Sequence, residues 1–385
     1  DGLTLYATSG YRSYSTQKAI FERKLDRMSE EQANELYRLA LFHDMAHLVG
    51  DALLSDGLLP DGEAKAKFEE QRMMAVFRCE NQSFELERIK SVLSAEKVDF
   101  VPLKGAVIRG FYPEPWQRTS CDIDVLVHES ELEKAAAALT SKLGYIREEM
   151  NYHDLPLSSR SGVHLELHFS VLESNEQLDP VLSEAWEHAE PADGAEKRFD
   201  GAFFMFHFIA HAAYHFIRGG CGVKPLLDLY ILDKSFDYDC AQLDALLERA
   251  RLTAFVRNMR RLAAVWFGGE AHDGTTASME RYILSGGVYG TNRQKVTMQL
   301  TEGRGKHLLR RFWKPYPWLC ERYPQLKGRR ILQPVYEVRR WCTLIGTRWR
   351  FKGGMKDLKT SFTVSDETVA EVKKMFDDIG LDPKY

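Results

Sequence analysis

The stretch RTSCDIDVLVHES, Arg118–Ser130, decides how the chain is read. Its middle, CDIDVLVH, alternates with a period of two, the pattern of a β-strand with one face toward a core. Residues two apart in a strand share a face, so Asp122 and Asp124 lie on one side while Ile123 and Val125 lie on the other. Two like charges a few ångström apart repel, and burial adds to the cost unless a cation neutralises them. Either the strand begins at a hydrated sheet edge or the pair holds a divalent metal. Magnesium takes hard oxygen ligands and binds through one or two carboxylates plus substrate phosphates, so the second reading has clear chemistry.

Three neighbours bear on that choice. VPLKGAVIRG carries Lys104 and Gly105 at the end of the preceding apolar run, where backbone amides at a helix start and a lysine beside them can hold phosphate. GVHLELHF sets Glu166 between His164 and His168 on one strand face, with Leu165 and Leu167 on the other, so a third carboxylate can converge on the pair. Arg118 stands just before the aspartates, placed to contact phosphate or to pair with a carboxylate. Taken singly, each has a structural reading as well: a glycine turn, a hydrated edge glutamate, a surface arginine.

Around this block the chain changes character. From about Thr16 to Ala95 apolar residues recur at three and four, the helical period, with a loop at SDGLLPDGEAK. SELEKAAAALTSKLGY predicts a helix with Ser130 as N-cap and Gly144 as C-cap. YIREEMNYHDLPLSS and GVHLELHF are strand-like, and ESNEQLDP marks the exit. Helical patterns return from Gly201 and end in SDETVAEVKKMFDDIG. The expected organisation is a helical region at 1–95, an α/β core at 96–172 and a mainly helical region at 173–385 that completes the cleft. The fold class expected is α+β, a small mixed sheet with helical flanks.

Composition narrows the function classes. The chain has 385 residues, 44% hydrophobic and 28% charged, enough for more than one average domain and without the signature of extended disorder. A net charge of -4 argues against a general electrostatic grip on DNA or an anionic membrane. Six scattered cysteines without a CxxC pair fit reduced thiols in a cytoplasm, the expected location. No apolar run approaches the length of a membrane span, and the first residues lack the charged and apolar regions of a signal peptide.

The ordered set Leu103-Lys104-Gly105, Tyr112-Pro113, Arg118, Asp122-Ile123-Asp124-Val125-Leu126-Val127, Gly144-Tyr145 and Glu166-Leu167-His168 resembles the uncharacterised bacterial nucleotidyltransferases. These belong to a superfamily with a polymerase-β-like fold. The likeness is close over about 70 residues and looser in the flanks. It implies a metal-dependent transfer of a nucleoside monophosphate from an NTP to a hydroxyl acceptor, which in relatives is a small sugar, a protein side chain or an RNA end. Asp122, Asp124 and Glu166 would hold Mg²⁺ or Mn²⁺, with Glu166 either completing the metal site or serving as base. Lys104, Gly105 and Arg118 would steady the phosphates, and His211, Lys224 and Asp228 would face the cleft. Active superfamily members carry Gly-Ser at the phosphate turn, whereas this chain has Gly105-Ala106. A nucleotide-binding or regulatory module that has lost turnover is therefore the alternative.

Two further signals compete. FHDMAHLVGD, with His43, Asp44 and His47, resembles the core of HD phosphohydrolases, but no histidine precedes His43 to complete that site. His207, His211 and His215 recur at four on one predicted helix, a stripe suited to zinc, to a pocket wall or to a packed helix interface.

Overall fold

The computed structural model describes residues 28–288, 290–301, 303–305, 313–346 and 360–382. The helical pattern expected at 16–27 and part of the Arg- and Trp-rich C-terminal stretches lie outside the described residues.

The chain opens with α1 (Glu30–Phe42), started by a capping box in which Ser29 accepts from the Gln32 amide and the Gln32 side chain accepts from the Ser29 amide. The helical period continues through FHDMAH, yet the backbone breaks there: Asp44 takes a left-handed φ of 53° before α2 (Ala46–Ser55) resumes. Two helices and a kink replace one long helix, and the kink carries Asp44 toward the sheet. The 33-residue α3 (Glu63–Ala95) follows, about 50 Å long at 1.5 Å per residue.

A seven-stranded mixed sheet forms the centre, in the order β3-β4-β5-β2-β1-β7-β6. Its strands are β1 (Phe100–Pro102), β2 (Asp122–Val127), β3 (Ile146–Arg147), β4 (Asp154–Ser158), β5 (His164–His168), β6 (Ala189–Asp193) and β7 (Glu196–Phe199). Strand β2 runs antiparallel to β1 and parallel to β5, with Asp122 opposite His164 and Asp124 opposite Glu166. After β1, α4 (Gly105–Ile108) is a single turn. Between β2 and β3 lies α5 (Leu132–Leu143), which ends as expected on Gly144 in the left-handed conformation. Its start differs from expectation: a 3₁₀ turn over Glu129–Glu131 comes first, so Ser130 lies inside that turn and does not cap the helix.

The sheet continues past residue 172. After the short α6 (Asp179–Leu182), β6 and β7 form a hairpin, and β7 pairs in parallel with β1 through Phe100 and Glu196. Asp200, whose side chain accepts from the Phe203 amide at 2.8 Å, then starts α7 (Gly201–Ile217), buried along most of its length. Beyond it lie α8 (Lys224–Ser235), α9 (Cys240–Arg249), α10 (Thr253–Ala263), α11 (Gly274–Gly286), α12 (Asn292–Leu300), α13 (Tyr316–Arg322), α14 (Gln333–Gly346) and α15 (Asp366–Ile379). The molecule is α+β with helical flanks on both sides of the sheet.

Alternation along the strands sorts the layers. Ile123, Val125, Val127, Leu165 and Leu167 pack on one face with Leu93 of α3 and Leu139 of α5. On the other face Val101, Leu103 and Leu126 join a core that runs through α7 and on to Met375 and Phe376 of α15. Among the described residues no helix is long and apolar enough to cross a membrane.

Candidate active site

Between the second sheet face and α7 lies a cavity of about 400 Å³, lined among others by Lys104, Asp122, Asp124, Glu166, His211 and Lys224. Every residue given a part in nucleotidyl transfer lines it, including Gly105, Arg118 and Asp228, whereas His43 and His47 of the HD-like stretch do not.

One wall is made by β2, β5 and the end of β1. Asp124 is buried, and burial alone would raise its carboxyl; Lys104 Nζ at 3.4 Å and His168 Nε2 at 2.9 Å outweigh that and hold it well below the usual carboxylate range. Glu166 stands beside Asp124 across the β2–β5 ladder, and its Oε2 is 3.3 Å from the same His168 Nε2. That hydrogen bond lowers the Glu166 carboxyl. Asp122 has no such cation at close range: burial, then Asp124 and Glu166, push it up to about 6. On His168, burial works downward, but its hydrogen bonds to the two carboxylates lift it to about 9. Lys104 is likewise raised against the effect of burial by Asp124, Glu173, Asp122 and Glu166.

The backbone at Lys104 explains how a lysine reaches this wall. Its φ of 45° is left-handed, a costly conformation for a residue with a Cβ, and it turns the chain from β1 into α4. Glycine suits the next position, because a Cβ on Gly105 would lie 3.0 Å from Ser120 Cβ, tighter than ordinary packing. Ser120 thus occupies the space beside the turn, but its hydroxyl is already engaged: it donates to the Asp122 carbonyl at 3.0 Å and accepts from Arg109 Nη2 at 3.0 Å. It braces the turn and does not replace the missing Gly-Ser hydroxyl.

The opposite wall is α7. His211 Nδ1 lies 2.8 Å from Glu173 Oε1, and His211 Nε2 lies 3.1 Å from His215 Nε2. Burial, then the neighbouring Lys104, lowers His211 well below the ordinary histidine value. Burial and the adjacent His211 take His215 down to about 3, and burial and Lys104 take His207 to about 3. All three are neutral imidazoles near pH 7.

A third group closes the cavity between the helical regions. Arg118 Nε bonds both oxygens of Asp228, at 2.8 and 3.0 Å, and the Tyr112 hydroxyl donates to Asp228 at 2.7 Å. Lys224 pairs with Asp44 and donates to the Thr119 carbonyl at 3.0 Å. Arg118, Lys224 and Asp228 therefore sit at the cavity as expected but are spent largely on one another and on Asp44 and Tyr112.

Sequence reasoning placed the three acidic residues and missed most of their partners. His168 was visible in ELH, two residues from Glu166 on the same face. His215 was visible in the histidine stripe at spacing four, but Glu173 carries no local signal, since its pairing with His211 depends on α7 crossing the sheet. The HD-like residues diverge: His43 contacts the Leu284 carbonyl at 3.2 Å, His47 contacts the Gln117 carbonyl at 2.9 Å, and Asp44 takes Lys224. Among the described residues the one group of three or more side chains placed to hold a metal is Asp124, Glu166 and His168, with ligand atoms within 4.8 Å of one another.

No curated protein and no solved structure matches the chain. A family match runs over residues 29–268, more than half of the chain, from α1 past the end of α10, and includes the whole sheet and both cavity walls. On that match the chain belongs to the uncharacterised nucleotidyltransferase family.

Proposed function

We propose that the protein transfers a nucleoside monophosphate from an NTP to a hydroxyl acceptor at the cavity between β2, β5 and α7, with Mg²⁺ or Mn²⁺ held by Asp122, Asp124 and Glu166. The observation that carries this reading is the convergence of these carboxylates from adjacent parallel strands onto one partly enclosed wall. The donor set fits a hard divalent cation: Asp124 and Glu166 offer oxygens within 4.8 Å of one another, Asp122 shares their strand face, and burial, then the two neighbouring carboxylates, raise Asp122 against the opposing pull of Lys104. His168, engaged by Asp124 and Glu166, fixes these two side chains and lies close enough to offer a ligand atom itself.

When bound, such a cation supplies the charge that stabilises the phosphoryl oxygens as the bond to the α-phosphate changes hands. The chain's own residues do the rest. Lys104 lies beside Asp124 with its ammonium toward the cavity and is available to the triphosphate once the carboxylates are otherwise neutralised. Asp228 is a positioning residue: fully buried, it fixes Arg118 at the cavity edge, while Asp44 does the same for Lys224. The acceptor is a small molecule, a protein side chain or an RNA end bearing a free hydroxyl.

The test is pyrophosphate release from each of the four NTPs with Mg²⁺ or Mn²⁺, alongside calorimetric binding. Release that disappears in Asp124→Asn supports the reading, and unchanged release and binding in that variant would sink it. The engaged Ser120 hydroxyl at the Gly105-Ala106 turn favours one second reading, a nucleotide-binding module without turnover. NTP binding without transfer to any acceptor would select it.

A further inference from the structure

The α7 wall contains a chain of three side chains that the transfer reading leaves unused. Glu173 Oε1, His211 and His215 are linked at 2.8 and 3.1 Å, and all three line the cavity. Tautomers propagate along such a chain. With Glu173 ionised, His211 carries its proton on Nδ1 and donates it to the carboxylate, which leaves Nε2 as an acceptor. His215 then donates from its own Nε2, and its Nδ1 is left with the free lone pair. A carboxylate that orients one imidazole, which in turn orients a second, is the arrangement of a general base supported from behind.

We propose that His215 is the general base that takes the acceptor hydroxyl proton, with His211 and Glu173 as positioning residues. The inference rests on nucleotidyl transfer at this cavity. It assigns the base to the wall opposite the metal ligands, because Glu166 is committed to the cation and to His168. In the step, the acceptor oxygen forms its bond to the α-phosphorus as the bond from that phosphorus to the bridging oxygen of pyrophosphate breaks. Pyrophosphate leaves with that electron pair, and the acceptor proton passes to His215 Nδ1. The resulting imidazolium donates through Nε2 to His211, whose own proton stays on Nδ1 and is still donated to Glu173, so the new positive charge faces a buried carboxylate two links away.

The charged and titratable groups that act on this pair are Lys104 from the end of β1, Asp124 of β2, His153 before β4, His168 of β5, Glu173 beyond β5, and Arg218 at the end of α7. A bound triphosphate adds negative charge to the same space and offsets Lys104, which favours proton uptake at His215.

The test compares His215→Ala and Glu173→Gln with the wild type in pyrophosphate release from ATP with Mg²⁺ and glycerol as the hydroxyl probe, with and without added imidazole. A positioned base contributes roughly 100-fold or more. The expected result is a kcat lowered by about that factor in His215→Ala with ATP KM within about threefold, and partial recovery by imidazole but not by an equal concentration of Tris. Glu173→Gln is expected to lose about tenfold without imidazole rescue. Nitrogen-15 NMR of the metal-free, nucleotide-free protein adds a readout independent of turnover, with His211 protonated on Nδ1 and His215 on Nε2. An active wild type whose His215→Ala variant keeps kcat within threefold overturns the base alone, as do the opposite tautomers. A wild type that releases no pyrophosphate from any NTP overturns nucleotidyl transfer, and the base with it.

Discussion

The two walls of the cavity solve opposite problems. On β2 and β5, Asp122, Asp124 and Glu166 concentrate negative charge against the sheet, answered by Lys104 and His168. On α7, His207, His211 and His215 are held neutral in an apolar helix, with Glu173 as the carboxylate that His211 contacts directly. Under the proposed transfer, the strand wall would attract a cation and the helix wall would keep a lone pair. A group transfer that needs charge on one side of the phosphorus and a proton acceptor on the other is served by that division.

The sharpest way to break the comparison is to remove charge from the strand wall. Asp124→Asn deletes the carboxylate that contacts both Lys104 and His168, and the loss of kcat is expected to reach about 1,000-fold or more, equivalent to about 4 kcal/mol of transition-state stabilisation. The His215→Ala loss of about 100-fold belongs to the other wall, and the two losses differ in kind: added imidazole restores activity only where a proton acceptor was lost. Titration with Mg²⁺ checks the same point, because metal-dependent nucleotide binding is expected to fall in Asp124→Asn and to persist in His215→Ala.

Next comes the clamp that holds the walls in register. Asp228 is fully buried and takes both Arg118 and Tyr112. Removing it in Asp228→Ala leaves a guanidinium buried without its partner, which costs about 3–5 kcal/mol by the behaviour of such pairs. Urea denaturation reads that loss, with the largest drop expected in midpoint and little change in slope.

A similar stability loss without loss of the site is expected one residue from Glu166. Leu165 is fully buried on the opposite face of β5, so Leu165→Ala is expected to cost about 2–5 kcal/mol while Mg²⁺-dependent nucleotide binding, measured below the unfolding transition, stays unchanged. Glu166→Gln is the converse, costing metal affinity and little stability. If both variants lost metal affinity alike, the separation of faces along the strand would fail.

That separation is also what made half of the site legible. A period of two assigns Ile123, Val125, Leu165 and Leu167 to a core and leaves Asp122, Asp124 and Glu166 on the other face, and the ladder pairs them as the spacing implied. On the helix wall, a spacing of four sets His207, His211 and His215 on one stripe but does not say what they meet. His211 and Glu173 are 38 positions apart, and Asp44 and Lys224 are 180 apart; they meet because α7 and α8 pack over the sheet and because the backbone kinks at Asp44. The hairpin β6–β7 was hidden for a different reason. AEPADGAEKRF is at a sheet edge, mostly solvated on both faces, and so lacks the apolar alternation that marks a half-buried strand.

The smallest expected effect concerns acid. His207 is buried on α7 and titrates at about 3 because burial, and then Lys104, disfavour its charged form. In the unfolded chain a histidine titrates near 6.5, so below that pH the unfolded state binds a proton that the folded state refuses. Stability from this residue is present above pH 6.5 and is lost as pH falls toward 3, at roughly 1.4 kcal/mol per pH unit. His207→Leu removes that proton uptake. Between pH 7 and pH 5 the variant is expected to lose about 2 kcal/mol less than the wild type in urea unfolding, with the remaining acid sensitivity carried by His211 and His215. Equal losses in the two proteins would mean that His207 takes up its proton in the folded state, and the helix wall would then not be the neutral partner that the strand wall requires.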